Sequence, residues 1–222
     1  MSDAKDKPEL PETPTVPKAV INRLSLYQRE LQHLLRDGKE TTSSSQLGSL
    51  LGFTDAQVRK DLAYFGHFGH PGIGYRCEEL IVAIRKILGT NHVWPVAIVG
   101  IGNLGKALLG YKGFSQQGFL LVAAFDVDAS KVGTKVEDVP VYALDDLAKI
   151  VTEKGIRLGM ITVPAPAAQP VADRLVAAGV VGIVNFAPVT ISLPEGVSLV
   201  GVDLAIELEQ ITFSVVNKGE SG

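Results

Sequence analysis

Residues 96–128 read VAIVGIGNLGKALLGYKGFSQQGFLLVAAFDVD. Val96 to Val99 form an unbroken apolar run, the mark of a strand buried on both faces of a parallel sheet. The run passes directly into Gly100, Gly102 and Gly105 and then into an apolar helical stretch, Leu104 to Leu109. A second run, Leu120 to Phe125, ends at Asp126, twenty-one residues beyond Gly105. Glycine spacing alone is a weak signal. Here a strand precedes it, a helix follows it and an acid closes the next strand, which is the βαβ unit that wraps a dinucleotide. Gly100 permits the tight turn, Gly102 lets backbone amides approach a pyrophosphate, and Gly105 lets the helix pack close to the strand. The helix start attracts the anion, and Asn103 and Leu104 there are counted with the glycines as cofactor-binding. A carboxylate at Asp126 would accept hydrogen bonds from the adenosine ribose and repel a 2′-phosphate, favouring NAD over NADP. Two alternatives stay open: an unliganded domain whose glycines are only turns, and a coenzyme A-type ligand, whose 3′-phosphate would face Asp126 unfavourably.

Downstream, strand and helix signals keep alternating. Apolar runs cover Leu158 to Val163 and Gly182 to Asn185, with a weaker one at Val197 to Val202; helical stretches cover Asp145 to Glu153 and Ala167 to Ala178. The expected architecture over 91–202 is a Rossmann-type parallel sheet with helices on both faces. A last helix, Asp203 to Val216, carries Leu204, Leu208, Ile211 and Val215 on one stripe, so 203–222 read as a C-terminal helix and tail.

Upstream the pattern changes. Ala19 to Arg36 repeats apolar residues at three- and four-residue steps. Ser43 with Gln46 forms a capping box that starts a helix running to Leu51. Gly52-Phe53-Thr54 is a turn, and a helix from Asp55 to Phe65 follows. Its apolar face holds Val58, Leu62 and Phe65, with Gln57, Arg59, Lys60 and Asp61 placed off that face. Two short helices across a glycine turn are the helix-turn-helix pattern. GHFGHPGIGYR, 66–76, has too many glycines for a helix and reads as a β-hairpin wing. Glu78 to Leu88 follows as a linker helix. Residues 18–90 are therefore expected to be a winged-helix domain for double-stranded DNA, with Ser44, Gln57, Arg59, Lys60, His70 and Tyr75 as candidate contacts. Residues 1–17, rich in proline and charge, are expected to be a disordered tail.

The net charge of −3 excludes a uniformly basic nucleic-acid binder. Its distribution is uneven: 18–76 hold eight Lys/Arg against five Asp/Glu, whereas 91–222 hold nine against thirteen. That asymmetry fits a DNA-facing front and an acidic back. No run is apolar enough for a membrane helix, the first eighteen residues lack the apolar core of a secretory signal, and Cys77 is the single cysteine, so a reducing cytoplasm is expected. No metal site is expected. A dehydrogenase needs an acid or base near the nicotinamide, yet the chain has no histidine beyond His92, and Lys106, Tyr111, Lys112 and Tyr142 form no known signature. The nucleotide is expected to be sensed, not consumed. An NAD-dependent oxidoreductase and a protein-binding winged helix are the rival readings.

From about Val16 to Val216 the chain resembles the Rex family of redox-sensing repressors. The resemblance is carried by INRLSLYQREL, SSQLGSLLGFTDAQVRKDLAYFG, VAIVGIGNLGKAL, AAFDVDASKVG, ITVPAPAAQPVADRLVAAGVVGIVNFAPV and VGVDLAIEL. It implies a homodimer that exchanges its C-terminal helix, holds operator DNA when NADH is low and releases it when NADH rises. It also implies a switch formed by Arg29, Tyr111 and Asp203, with Tyr111 at the cofactor as well. One departure concerns the wing, where the family's Lys or Arg is replaced by His70-Pro71. Histidine is largely neutral at pH 7, so weaker or more pH-dependent DNA binding is expected.

Overall fold

The computed structural model describes residues 16–218, so all but the end of the expected 1–17 tail lies outside the described residues. The chain forms two compact units that divide between Asn91 and His92.

In the first unit, α1 (Lys18–Arg36) buries Val20, Leu24, Tyr27, Leu31 and Leu34 along one stripe. A two-residue strand, β1 (Thr41–Thr42), leads to α2 (Ser44–Leu51) and α3 (Asp55–Ala63). Each helix start is set by its sequence: Ser43 Oγ accepts from the Gln46 amide and Thr54 Oγ1 from the Gln57 amide. The reciprocal half of the expected capping box is diverted, because Gln46 Oε1 accepts from Thr42 Oγ1 instead. Gly52 ends α2 at φ 75°, a left-handed cap that lets the chain reverse into α3. The wing is smaller than a full hairpin. His70 and Gly74 make a single bridge around a tight loop, and the return strand β2 (Tyr75–Arg76) pairs with β1, antiparallel. Helix α4 (Cys77–Ile87) closes the core with Cys77, Leu80, Ile81 and Ile84. Cys77 is fully buried, and burial pushes its thiol pKa up, so it is an inert core residue.

One residue departs from the sequence expectation. Asp61, placed off the apolar face of α3, is completely buried. Arg23 grips it with two bonds, Nε to Oδ2 at 2.6 Å and Nη2 to Oδ1 at 2.8 Å; Tyr27 Oη donates at 2.7 Å and Gln57 Nε2 at 2.7 Å. The apolar periodicity of α1 showed Tyr27 as core but gave no sign that its hydroxyl, with Arg23 one turn earlier, would receive a carboxylate from α3.

The second unit is a seven-stranded sheet in the order β5-β6-β4-β3-β7-β8-β9. The strands are β3 (Trp94–Val99), β4 (Phe119–Asp126), β5 (Lys135–Val136), β6 (Val139–Ala143), β7 (Leu158–Ile161), β8 (Gly182–Asn185) and β9 (Ser198–Gly201). All pairings are parallel except β5 with β6. Without β5, the six parallel strands follow the doubly wound dinucleotide-binding order, which reverses direction between β3 and β7. Helices α5 (Asn103–Leu109), α6 (Gly113–Gln116), α7 (Leu147–Glu153) and α8 (Ala165–Ala177) connect them, and two apolar clusters fill the two faces of the sheet. Helix α8 begins earlier than its apolar pattern because Pro166 sits in its first turn, where no amide is needed. The β5–β6 hairpin was not expected from sequence. Its turn, Glu137-Asp138, takes positive φ at both residues (49° and 65°) without a glycine, and Pro140 interrupts the strand signal. Pro140 lies outside the register with β4, which starts at Val141, so its missing amide breaks no bond of that ladder. The chain ends in α9 (Leu204–Lys218), whose Leu204, Leu208, Ile211, Phe213 and Val215 are all more than half exposed.

Asp61→Ala should cost about 3 kcal/mol, the lower part of the range for a broken buried pair, because Arg23 keeps some access to water. Urea unfolding followed by circular dichroism measures this, and a loss below about 1 kcal/mol would rank the cluster with surface ion pairs. Burial pushes the Asp61 carboxyl up, but the bonds from Arg23, Tyr27 and Gln57 outweigh it and hold it below the ordinary carboxylate value. Its stabilisation is therefore present above the unfolded value of about 3.9 and fades as pH falls through the lowered one. The gap between wild type and Asp61→Ala should narrow as pH falls below the unfolded value and through the lowered one.

Candidate functional site

The outer side of α3 carries the cations. Arg59 is 56% exposed, and its Nη1 donates to Asp55 Oδ2 at 2.8 Å and to Ser44 Oγ at 3.1 Å. This joins the N-terminal turns of α2 and α3 through one guanidinium, and Arg59 in turn holds the Asp55 carboxyl below the usual range. Lys60 follows, exposed. A hypothetical Cβ on Gly74 would strike the Thr42 carbonyl, so the base of the wing lies against the residues that open α2. Ser44, Arg59, Lys60 and the wing base thus belong to one neighbourhood, a polar, cationic strip suited to phosphates and base edges.

The other candidates fare differently. Gln57 commits its amide nitrogen to Asp61. Tyr75, expected to touch DNA, is 8% exposed and packs in the core of the unit, because the β1–β2 pairing turns its ring inward. His70 does not project freely: its Nε2 lies 3.0 Å from Glu79 Oε2, the same carboxylate that Arg76 approaches at 3.6 Å.

In the second unit the loop Gly100–Gly102 sits where the sheet reverses direction. Gly100 has φ 97°, and a Cβ there would meet the Thr162 carbonyl at 2.8 Å. A Cβ on Gly105 would overlap the Gly100 carbonyl, whereas Gly102 faces open space. The two outer glycines are thus required by packing and the middle one leaves room for a ligand. Thr162 Oγ1, which the sequence reading passed over, bonds the Gly100 carbonyl at 2.6 Å and the Val99 carbonyl at 3.0 Å, and so ties the end of β7 to the glycine loop. Beside this loop lies a cavity of about 250 Å³ lined by Gly102, Asp126, Val127, Lys131, Leu144 and Val163, among others. It is large enough for a nucleoside and smaller than the roughly 300 Å³ at which whole small-molecule sites begin.

Asp126, at the end of β4, is 7% exposed. Its Oδ2 accepts from the Ile101 amide at 2.8 Å and from Lys131 Nζ at 2.9 Å, and its Oδ1 from the Asp128 amide at 2.9 Å. Burial raises its pKa, yet these donors prevail and keep it ionised and below the ordinary value. Lys131 escaped the sequence reading because nothing in a loop of this composition says which way a lysine turns. Tyr111 is 56% exposed, with its ring edge-to-face against Phe114 at 5.0 Å between centroids and covering Gly113 so closely that a Cβ there would overlap it. Asp203 caps the start of α9 by accepting from the Ala205 amide at 2.9 Å. Arg29 is exposed on α1. Among the described residues no group of three or more His, Cys, Asp or Glu is placed to hold a metal, and no helix is long and apolar enough to cross a membrane.

Comparison with known proteins agrees with both halves of this layout. Residues 15–63 match the family model of a putative DNA-binding protein N-terminus, and 91–189 match that of a CoA binding domain. The redox-sensing transcriptional repressor Rex of Carboxydothermus hydrogenoformans is 48% identical over 90% of this chain and 96% of its own; that of Pelotomaculum thermopropionicum is 47% identical over 91% and 95%. Among solved structures, RSP in complex with β-NAD+ and operator DNA aligns with a TM-score of 0.86 at 36% identity, covering 93% of this chain and 99% of that one. RSP in complex with β-NADH aligns at 0.82 and 35% identity, over 92% and 96%. A winged helix with a cationic recognition helix and a glycine cradle closed by a buried aspartate, joined in one chain of this likeness, make the protein a member of the Rex family of redox-sensing transcriptional repressors, a family of regulators and not of enzymes.

Proposed function

We propose that this chain is a homodimeric, cytoplasmic repressor that holds operator DNA through α2, α3 and the wing, and releases it when NADH fills the cradle of its second unit. The observation that carries the reading is the likeness, over 93% of the chain, to a repressor solved on operator DNA with NAD+, together with cradle and recognition helix in the same chain. The two compact units correspond to a DNA-binding domain over 18–90 and a nucleotide-binding domain over 91–202, with α9 as the dimer-exchange element.

Each part has a physical role. Arg59, held by Asp55 and Ser44, presents its remaining guanidinium nitrogens in a fixed orientation, which lowers the entropy lost on contact. The first amides of α5, at Asn103 and Leu104, lie before any acceptor of their own helix and suit a pyrophosphate, and Gly102 leaves room for one. Asp126 suits the adenosine ribose. The bound group would supply a ring that is cationic when oxidised and neutral when reduced, and this reading assigns the sensing of that difference to Tyr111 and Asp203. A 15-residue helix with seven large apolar side chains in water among its described residues needs a cover. A second copy of α9's own subunit is the cover this reading assigns, and Asp203, at the helix start, would exchange between Tyr111 and Arg29 as the state changes. His70 is engaged by Glu79, so α3 is left as the main anchor.

Arg59→Ala should weaken operator binding by about 1–3 kcal/mol and relax preference at one base pair, while Lys60→Ala should weaken all sequences alike and lower the salt slope by about one. Fluorescence anisotropy over a salt series separates the two, and unchanged binding by both variants removes α3 from the interface. For the coupling, saturating NADH should lower operator affinity by about five- to 150-fold, NAD+ should not, and DNA should lower NADH affinity by the same factor as NADH lowers DNA affinity. Asp203→Ala should keep a folded protein and lose the response. An operator affinity indifferent to NADH would falsify the sensor reading; a wild-type response in Asp203→Ala would remove only this switch.

A further inference from the structure

Asp126 cannot receive a ribose as it stands. A carboxylate offers about four acceptor positions, two on each oxygen. Oδ2 already serves the Ile101 amide and Lys131 Nζ, and Oδ1 serves the Asp128 amide. One position is left, and a ribose diol that donates from both hydroxyls needs two. The two amides are fixed: Ile101 belongs to the glycine loop held by Thr162, and Asp128 directly follows the strand end. Lys131 is the only side chain among the three donors. Its side chain is 31% exposed, it lines the cavity, and it already lies 3.6 Å from a second carboxylate, Asp128 Oδ2, which is half exposed.

Resting on the NAD(H) reading above, we propose that Lys131 is an internal occupant of the ribose position: it neutralises Asp126 in the free protein, swings to Asp128 when a nucleotide docks, and there sets how strictly a 2′-phosphate is refused. The physics is a balance of two charges. Buried Asp126 alone repels a phosphate on the ribose, and an ammonium on a flexible stem beside the same edge offsets part of that repulsion. The paired state also explains how a carboxylate can wait in a nearly dry site without its ligand, since an unpaired buried charge would be costly. Asp126 excludes the phosphate, and Lys131 decides by how much.

The test is isothermal titration calorimetry of the full-length protein with NADH and with NADPH, at one salt concentration, for wild type, Lys131→Gln and Lys131→Arg. Lys131→Gln keeps a polar side chain but removes the cation, and it should raise the ratio of the NADPH to the NADH dissociation constant on the order of tenfold. Lys131→Arg keeps the cation and should hold that ratio within about twofold of wild type, a rescue that a merely structural role would not give. A ratio in Lys131→Gln equal to or below that of wild type overturns the proposal and leaves Lys131 as a tie within its loop. If Lys131→Gln does not fold, Lys131→Met takes its place in the same titrations: it too removes the cation, so it should raise the ratio to the same extent, and an unchanged or lower ratio overturns the proposal. Failure of wild type to bind either nucleotide is a different result, because it removes the cofactor assignment itself.

Discussion

A carboxylate taken out of water must be met by donors on nearly every side, and among its described residues this chain buries two of them, Asp61 and Asp126. Asp61 collects Arg23 and Tyr27 from α1 and Gln57 from its own helix, and so fixes the recognition helix against the rest of the winged helix. Asp126 collects amides from the glycine loop and from the turn after β4, and so fixes the two loops that frame the nucleotide cavity. In both cases the charge is held ionised by its partners against the penalty of burial. Unpaired buried charge is expensive, so the geometry of each site is enforced by the cost of any other arrangement.

The consequence for function is a division between what is rigid and what is free to move. The backbone donors around Asp126 and the glycine packing of β3 against α5 make a preformed cradle. The side chain at its edge, Lys131, is partly in water and has an alternative partner in Asp128. The same contrast holds in the first unit. The Asp61 cluster is buried and fixed, whereas Arg59 with Asp55, and His70 and Arg76 with Glu79, make exposed contacts of the kind that contribute little. A sensor needs this combination, since a ligand can shift an equilibrium only through contacts that differ between two states.

Much of the architecture could be read from the chain alone because it follows from local chemistry. The strand–glycine–helix passage at 96–109, the acid at Asp126, the capping residues Ser43 and Thr54 and the apolar stripe of α1 all act over a few residues, and periodicity and spacing report them directly. The hairpin at 135–143 was not legible, because its turn uses Glu137-Asp138 in left-handed conformations that those residue types seldom adopt.

The sequence by itself thus determined the order of elements, the nucleotide loop and the cationic helix. Tertiary structure decided the partners of the polar side chains. Asp61 looked like a surface residue by its helical position, and Tyr75 looked like a wing contact by its place after the glycines, yet both lie in the core. Lys131 could have turned to solvent and instead crosses to Asp126. The reason is that a side chain's hydrogen-bond partner is set by residues 34 or 38 positions away, as for Tyr27 and Arg23 with Asp61, and no periodicity within a helix or strand carries that information.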